Sequence, residues 1–392
     1  MTNKKLIIIP FGFPFDWPCD YEKQTASNLA KRNIVIAWLT REGIGLKKII
    51  LNFIRTGKSG LITKNKKLIS VKPIKFIPFL KNNFIEKLNY YSYIIQLRLV
   101  LFFFTDNYQK LLWIFSSQKE FPCRLFNNKF QLIYDCVDYP YSIDKKVQKR
   151  DKIQEENILK KAKIVFANSR ILFKLKKRQH KKVFLVPQGF NTNLFSGKKK
   201  LLIPKDIISI PVPRIGYIGN INFRLDFSLI WKTALLCPNF SFIFIGPYAP
   251  ETIQDKIAKT ENWLKKLNGL KNVYFLGDKN KKKVPAYINY LNICIIPYNT
   301  RYSFNKYCFP MKLLEYFYFE KPVVSTPIEE LKYYKKYVKL CSTPALFKKS
   351  LELIYSENFL SNCKKDGPEI AISNSWKNKI NLMLNTINHY VL

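Results

Sequence analysis

The sequence predicts an α/β protein built of two halves, each a doubly wound parallel sheet. Three observations carry that prediction. Short continuous apolar runs recur along the 392 residues and alternate with segments of helical spacing, the pattern of strands buried on both faces. The alternation lapses over a Lys- and Pro-rich stretch from Ser196 to Pro213, which has no periodicity, and then restarts. A chain of this length also exceeds what one core serves well and suits two domains. The boundaries that follow are a first domain over 1–195, a linker over 196–213, a second domain over 214–372 and a terminal helix over 373–392.

The first domain opens with the run Leu6 to Ile9 and the turn Pro10-Phe11-Gly12. Glu22 to Arg32 then carries Ala26, Leu29 and Ala30 at helical spacing, and Ile34 to Trp38 is apolar again. This is a βαβ start, in which Gly12 would let backbone N–H groups approach a ligand at the end of the strand, or would simply form a tight turn. A G-x-G-x-x-G fingerprint is absent. Residues 43–85 are irregular and rich in Lys and Pro, and predict connecting strands on a mobile basic surface. The aromatic and aliphatic patch from Tyr90 to Phe104 is interrupted by Gln96 and Arg98 and is shorter than a bilayer span of about 18 residues. It predicts a core helix or a face resting on a membrane interface. Leu132 to Asp138 is an apolar strand that ends in carboxylates. Asp138 there could orient an acceptor hydroxyl, act as a base, or cap the next turn. A charged helix from Asp144 to Lys163, a strand Ile164 to Ala167 with Asn168-Ser169 as a helix cap, and a strand Val183 to Pro187 complete the domain.

In the second domain the strand Arg214 to Ile218 leads into Gly219 and a loop carrying Arg224. That loop opens a helix marked by Phe227, Ile230, Trp231, Ala234 and Leu235. A glycine, a helix start and a guanidinium suit an anion, although Arg224 could equally pair with Asp226 at the surface. Ser241 to Gly246, Asn272 to Gly277 and Asn292 to Pro297 give three further strands, with parallel order implied, and Trp376 to Val391 gives a terminal helix.

The segment Asn305 to Thr326 concentrates the chemistry. Lys312 and Glu315 stand three residues apart on one face of a short helix that starts at Pro310 and runs into the strand Val323-Val324-Ser325. A Glu at the carboxyl ends of parallel strands can accept two ribose hydroxyls, and a Lys one turn earlier can meet a phosphate; the plainer alternative is a surface ion pair.

Composition bounds the partners. Sixty-seven Lys and Arg against 27 Asp and Glu give a formal charge of +40, which favours nucleic acid, anionic lipid or phosphorylated substrates without choosing among them. The eight cysteines form no C-x-x-C pair and several lie in apolar strands, so they predict reduced core residues of a cytoplasmic protein and no metal site. The apolar start is broken by two prolines and reads as a first strand, not a secretion signal.

Three motifs together resemble the retaining nucleotide-sugar glycosyltransferases of bacterial surface polysaccharide synthesis, the family 4-like group 1 enzymes of the GT-B fold. Val186-Pro187-Gln188-Gly189-Phe190-Asn191 with Phe195 is similar to that family's linker signature. Gly216-Tyr217-Ile218-Gly219 with Arg224 is similar to its phosphate loop, and Pro310-Met311-Lys312-Leu313-Leu314-Glu315-Tyr316 with Lys321-Pro322-Val323-Val324-Ser325-Thr326 to its donor motif. The resemblance implies two Rossmann-like domains facing a central cleft, with the terminal helix packing back. It implies that Glu315 holds the donor ribose and that Arg224 and Lys312 neutralise the departing diphosphate, with Gly219, Pro310 and Tyr307 around the donor. Acceptor binding would fall to the first domain near Gly12 and Asp138. It further implies a nucleoside-diphosphate sugar as donor, a saccharide or lipid-linked acceptor, no cofactor, no nucleic-acid partner, and peripheral contact with the inner face of an anionic membrane; no D-x-D metal motif is present.

The chain departs from the pattern in three places. Tyr307 stands where a Glu aimed at the donor sugar is usual, Glu320 where a Gly precedes Lys321, and Leu225-Asp226 where a Lys follows the Arg. The second departure is compatible with the motif if the helix ends differently. Two rival functions remain at this level: a basic nucleic-acid-binding protein, and a sugar-nucleotide-binding protein without turnover.

Overall fold

In the computed structural model, the described residues are 4–11, 20–39, 42–76, 83–102, 108–115, 130–140, 145–195, 201–248, 258–356 and 360–391. They form two compact units. The first comprises 1–167, 172–186 and 380–392, and the second comprises 168–171 and 187–379.

The first unit is organised on an eight-stranded sheet. Its strands are β1 (Lys5–Phe11), β2 (Ile34–Leu39), β4 (Ile62–Asn65), β5 (Leu68–Val71), β7 (Gln109–Phe115), β8 (Phe130–Cys136), β9 (Ala162–Ala167) and β10 (Val183–Leu185); β3 (Ile44–Gly45) and β6 (Ile74–Lys75) form a separate parallel ribbon. The sheet order is β10-β9-β8-β7-β1-β2-β5-β4. Every pairing is parallel except that of β4 with β5, where the turn at Lys66, in the left-handed region at φ 54°, reverses the chain. The central strands carry near-continuous apolar runs because both faces are covered; all seven residues of β1, Lys5 included, are buried. A helix over Asn83–Phe102 buries Tyr93, Ile94, Leu97 and Leu101, as the core-helix reading expects.

Two features of this unit differ from the sequence reading. The strand Gln109–Phe115 is unplaced there and is a central one, lying between β1 and β8. Residues 43–85 hold ordered elements, among them a helix over Leu46–Thr56 that the Lys-rich composition conceals.

The second unit carries a six-stranded, wholly parallel sheet: β11 (Arg214–Ile218), β12 (Ser241–Ile245), β13 (Val273–Phe275), β14 (Ile293–Ile296), β15 (Val323–Ser325) and β16 (Val338–Leu340), in the order β13-β12-β11-β14-β15-β16. The chain therefore winds outward in one direction from β11 to β13, then returns to β14 and winds outward in the other. The stretch 196–213 is not a free linker over its described part, since Ile207 and Ile210 are buried in this unit's core around the short helix Lys205–Ile208. The unit also begins earlier than expected, at Pro187.

The terminal helix Trp376–Val391 divides between the units. Its start stays with the second, where Trp376 N–H donates to Phe190 O at 3.0 Å and the indole lies where a Cβ on Gly189 would have to go. Its residues from Ile380 group with the first, where Lys182 Nζ donates to Tyr390 O at 3.0 Å and the Phe184 and Tyr390 rings lie 4.8 Å apart. The five cysteines whose state is described, Cys136, Cys237, Cys294, Cys308 and Cys341, are free and buried. Among the described residues no helix is long and apolar enough to cross a membrane.

Candidate active site

Where a parallel sheet reverses its winding direction, two neighbouring strand ends have their connections leading away on opposite faces, and a crevice opens between them. In the second unit that point lies between β11 and β14. Gly219 follows β11 and Tyr298 follows β14.

The helix Lys312–Tyr318 is held against this crevice by its apolar face. Leu313, Leu314, Tyr316 and Phe317 are buried, and the Ile218 N–H, at the end of β11, donates to the Tyr316 hydroxyl at 3.2 Å. The spacing of three residues then leaves Lys312 and Glu315 half-buried on the other face. Lys312 Nζ donates to the Tyr298 hydroxyl at 3.3 Å and lies 5.2 Å from the centroid of the Tyr217 ring. Burial works to discharge the ammonium. The Tyr217 and Tyr298 oxygens and the Glu315 carboxylate outweigh it, and hold the group above the ordinary lysine range. Gly219 has φ +145°, and a Cβ there would collide with Lys312 Cε and Nζ. The glycine is what lets the lysine reach the strand end.

Arg224 is brought to the same tyrosine by backbone pairing between two loops. Leu225 bridges Tyr298, Asp226 N–H donates to Pro297 O at 2.8 Å, and Asn299 N–H donates to Arg224 O at 2.8 Å. Asn305, fully buried, completes the arrangement. Its Oδ1 accepts from Arg224 Nε at 2.9 Å, and its Nδ2 donates to Arg224 O and Asn299 O, each at 3.0 Å. The guanidinium carbon lies 5.2 Å from the centroids of both the Tyr298 and Phe304 rings. Asp226, the alternative partner suggested by sequence, instead caps the following helix by accepting from Leu229 N–H at 3.0 Å.

Arg224, Lys312, Glu315 and Gly219 are therefore gathered at one strand end of the second unit, with Tyr298 beside both cations. Two cations around a glycine turn, with a carboxylate one helical turn from the lysine, can accept a diphosphate and a vicinal diol. Pro310 is buried and its carbonyl accepts the Leu313 N–H at 3.0 Å, so it starts the helix. Tyr307 is half-buried, its N–H bonded to Ser303 O at 3.0 Å and its carbonyl accepting from Ser169 Oγ at 2.9 Å; Ser169 groups with the same unit.

The second departure from the family pattern, Glu320, has a definite geometry. Glu320 N–H donates to Phe317 O at 2.9 Å and Lys321 N–H to Tyr316 O at 3.0 Å, the bond pair of a Schellman ending whose penultimate residue is left-handed. Glu320 takes that conformation at φ 59°. The helix thus ends in the way a glycine would favour, contrary to the expectation of a different ending, with a glutamate bearing the strain.

Asp138 lies in the first unit, exposed in the loop after β8, its carbonyl accepting from Cys136 Sγ at 3.7 Å. Its neighbour Asp135 is the buried carboxylate of that strand end. It accepts from the Tyr21 hydroxyl at 3.2 Å and from Trp113 Nε1 at 3.3 Å, and burial followed by this carboxylate pushes the Tyr21 phenol well up. Gly12 lies outside the described residues. Among the described residues no three His, Cys, Asp or Glu side chains group in a way that could hold a metal ion.

Asn305 and Tyr298 escape the sequence reading because each is a single polar or aromatic residue whose partners lie far along the chain. Gly246 and Gly277 escape it for a related reason. Gly246, at φ +146°, packs so closely on the Gly219 carbonyl that a Cβ would strike it, and its N–H donates to Gly277 O at 2.9 Å. A glycine at the end of each of three adjacent strands was the available signal.

Residues 212–345 match the family model of glycosyl transferases group 1. Over 208 residues the chain is 30% identical to "Putative teichuronic acid biosynthesis glycosyltransferase TuaH" of Bacillus subtilis (strain 168), a match covering 50% of each; the chain thus matches about half the length of that relative. Among solved structures it is similar to a sucrose-phosphate synthase from Thermosynechococcus elongatus, with 15% identity, a TM-score of 0.72 and coverage of 98% of this chain and 99% of the other. It is also similar to Anabaena HepE in complex with UDP and glucose, with 12% identity, a TM-score of 0.70 and coverage of 98% and 100%. By fold the chain is a GT-B protein, and by sequence over 212–345 it is similar to the group 1 glycosyl transferases.

Proposed function

We propose that this protein transfers a sugar from a nucleoside-diphosphate sugar to a saccharide or lipid-linked acceptor, in the cytoplasm, during assembly of a cell-surface polysaccharide. The observation that carries the reading is the convergence of Lys312 and Arg224 on Tyr298 at the winding reversal of the second sheet. Glycosyl transfer passes through an oxocarbenium-like state as the bond from the anomeric carbon to the diphosphate oxygen breaks, and negative charge grows on the leaving group. Preformed cations at that oxygen stabilise the charge without reorganising at the moment of reaction.

In this reading Lys312 and Arg224 meet the diphosphate and Glu315 accepts the ribose hydroxyls. The backbone at Gly219 lets the phosphates come close, and the turn from Tyr307 to Pro310 borders the sugar. Asp138 orients the acceptor hydroxyl or takes its proton as the new glycosidic bond forms. The two side-chain cations supply the positive charge, so the reading calls for no cofactor. Retention of anomeric configuration follows from the resemblance of the donor motif. The TuaH name supports a surface-polysaccharide role, and the UDP of the HepE complex makes uridine diphosphate the first probe.

Screening nucleoside-diphosphate sugars for transfer, for hydrolysis and for protection against thermal unfolding tests this reading. One or more should be consumed with release of the nucleoside diphosphate. Steep, salt-sensitive binding of single-stranded DNA with no response to any nucleotide would contradict it.

A further inference from the structure

Phe223, Tyr302 and Phe304 lie together beside Arg224. The Tyr302 and Phe304 rings are stacked, with centroids 5.5 Å apart and planes 12° apart, and Phe223 meets each of them edge-on at 5.8 Å. All three side chains are half-buried, whereas Leu225 and Phe227 of the same loop are buried in the core. The two loops that carry the rings follow β11 and β14, the strands between which the sheet reverses its winding, so the rings stand on its ligand-facing edge. They are not needed to tie these loops together. The bridge of Leu225 with Tyr298 and the backbone bonds of Asp226 with Pro297 and of Asn299 with Arg224 already do so.

The contacts of the site run in a sequence. Glu315 is one turn from Lys312, Lys312 reaches the Tyr298 hydroxyl, Tyr298 lies against Arg224, and Arg224 lies against Phe304. A nucleoside-diphosphate sugar has the same order: ribose, two phosphates, sugar. With the ribose at Glu315 and the diphosphate between Lys312 and Arg224, the sugar falls at Phe304 and its two aromatic neighbours. Asn305, next in the chain, offers that sugar no N–H, because both are committed to Arg224 O and Asn299 O. This end of the site therefore presents ring surfaces in place of hydrogen-bonding groups. A pyranose carries C–H groups on the faces of its ring and hydroxyls around the rim, and an aromatic surface complements the former.

We propose that Phe223, Tyr302 and Phe304 form the platform on which the pyranose ring of the donor stacks by its C–H face. The inference rests on the reading of Lys312, Arg224 and Glu315 as a nucleoside-diphosphate site. To that reading it adds a substrate class, a pyranose with one face free of axial hydroxyls, and the residues that sense it. Selection is then by the shape of the ring face: an axial hydroxyl on that face would hold the ring off the aromatic surface and lose its own water without a partner.

Dissociation constants are measured by calorimetry, without acceptor, for the sugar nucleotide found by screening and for its free nucleoside diphosphate, on wild type, Phe223→Ala, Tyr302→Ala and the double variant. In the double variant the ratio of the two constants should shift at least about tenfold against the sugar nucleotide, while affinity for the free diphosphate stays within about twofold. Tyr302→Phe keeps the ring and should keep the wild-type ratio. Nuclear magnetic resonance on the wild-type chain gives an arm that needs no variant: saturation of the protein's aromatic protons should pass to the ring protons of the bound sugar. A ratio that does not move, whether both affinities hold or both fall together, a change in acceptor KM alone, or no saturation reaching the sugar would each overturn the platform and leave the diphosphate site standing. Failure of the free diphosphate to bind the wild type would overturn both.

Discussion

Asn305 and Arg224 hold one another at both ends: the guanidinium Nε donates to the amide oxygen at 2.9 Å, and the amide nitrogen donates back to the arginine's own carbonyl at 3.0 Å. A fully buried asparagine with all three contacts satisfied fixes a cation far more firmly than a surface pairing would. Asn305→Leu should therefore take one of two hydrogen bonds from each of the Arg224 and Asn299 carbonyls, which keep the Asn299 and Tyr302 N–H groups, and release the guanidinium Nε. We expect a stability loss of about 1–3 kcal/mol by denaturant titration and a weakening of nucleoside-diphosphate binding of about tenfold or more. Wild-type affinity in a folded variant would show that Arg224 needs no such support.

Lys312→Ala should lower turnover by about 10²–10³ while the unfolding midpoint moves little, because in the proposed reaction the charge acts on a leaving group, whereas the helix is held by Leu313, Leu314, Tyr316 and Phe317. Steady-state kinetics with the donor found by screening checks this. Since the lysine stays charged above its ordinary range, its contribution is present throughout neutral and mildly alkaline pH and is lost only as pH rises past that raised value. Activity that collapses in Lys312→Ala together with stability would point to a structural role.

Gly219→Ala combines an unfavourable φ of +145° with a collision against Lys312. We expect a cost of about 1–3 kcal/mol and loss of most nucleotide affinity, measured by thermal unfolding with and without nucleotide. Gly45→Ala, where a Cβ meets open space, is the matched control and should be nearly silent.

Glu320→Gly should raise stability by about 1 kcal/mol, since the left-handed position at φ 59° strains any residue with a Cβ and the Schellman bonds are already formed. Differential scanning calorimetry would register it as a rise of a few degrees, with transfer activity unchanged.

The first unit offers an independent test. Lys176 Nζ meets Glu155 Oε2 at 2.5 Å, both side chains buried, and the Tyr134 hydroxyl donates to Glu155 Oε1 at 2.5 Å. Lys176→Met leaves a carboxylate buried without its cation and should cost about 3–5 kcal/mol in chemical denaturation. Glu155→Leu combined with Lys176→Met should recover much of that loss, because both charges are then gone.

The sheets were legible in the sequence because parallel strands buried on both faces leave unbroken apolar runs, as in Leu6–Ile9 and Ile293–Ile296. The helix Lys312–Tyr318 was legible because local spacing alone puts Lys312 and Glu315 on one face. What stayed hidden depends on contacts between distant residues: Asn305 with Arg224, Tyr298 with Lys312, Gly246 under Gly219. The helix Leu46–Thr56 was hidden for the opposite reason. Its apolar side points away from the core, so its lysines read as irregular surface. Burial is not written in a strand-end pattern either, so the sequence does not separate the buried Asp135 from the exposed Asp138.

The central claim is that the second unit grips a nucleoside diphosphate through Lys312, Arg224 and Glu315, and calorimetric titration of UDP and the other nucleoside diphosphates against wild type, Lys312→Ala and Glu315→Ala tests it most directly. The account predicts saturable binding to the wild type of at least one of them, weakened about tenfold or more in each variant while both remain folded. Failure of every nucleoside diphosphate to bind, or equal affinity across the three proteins, would contradict it.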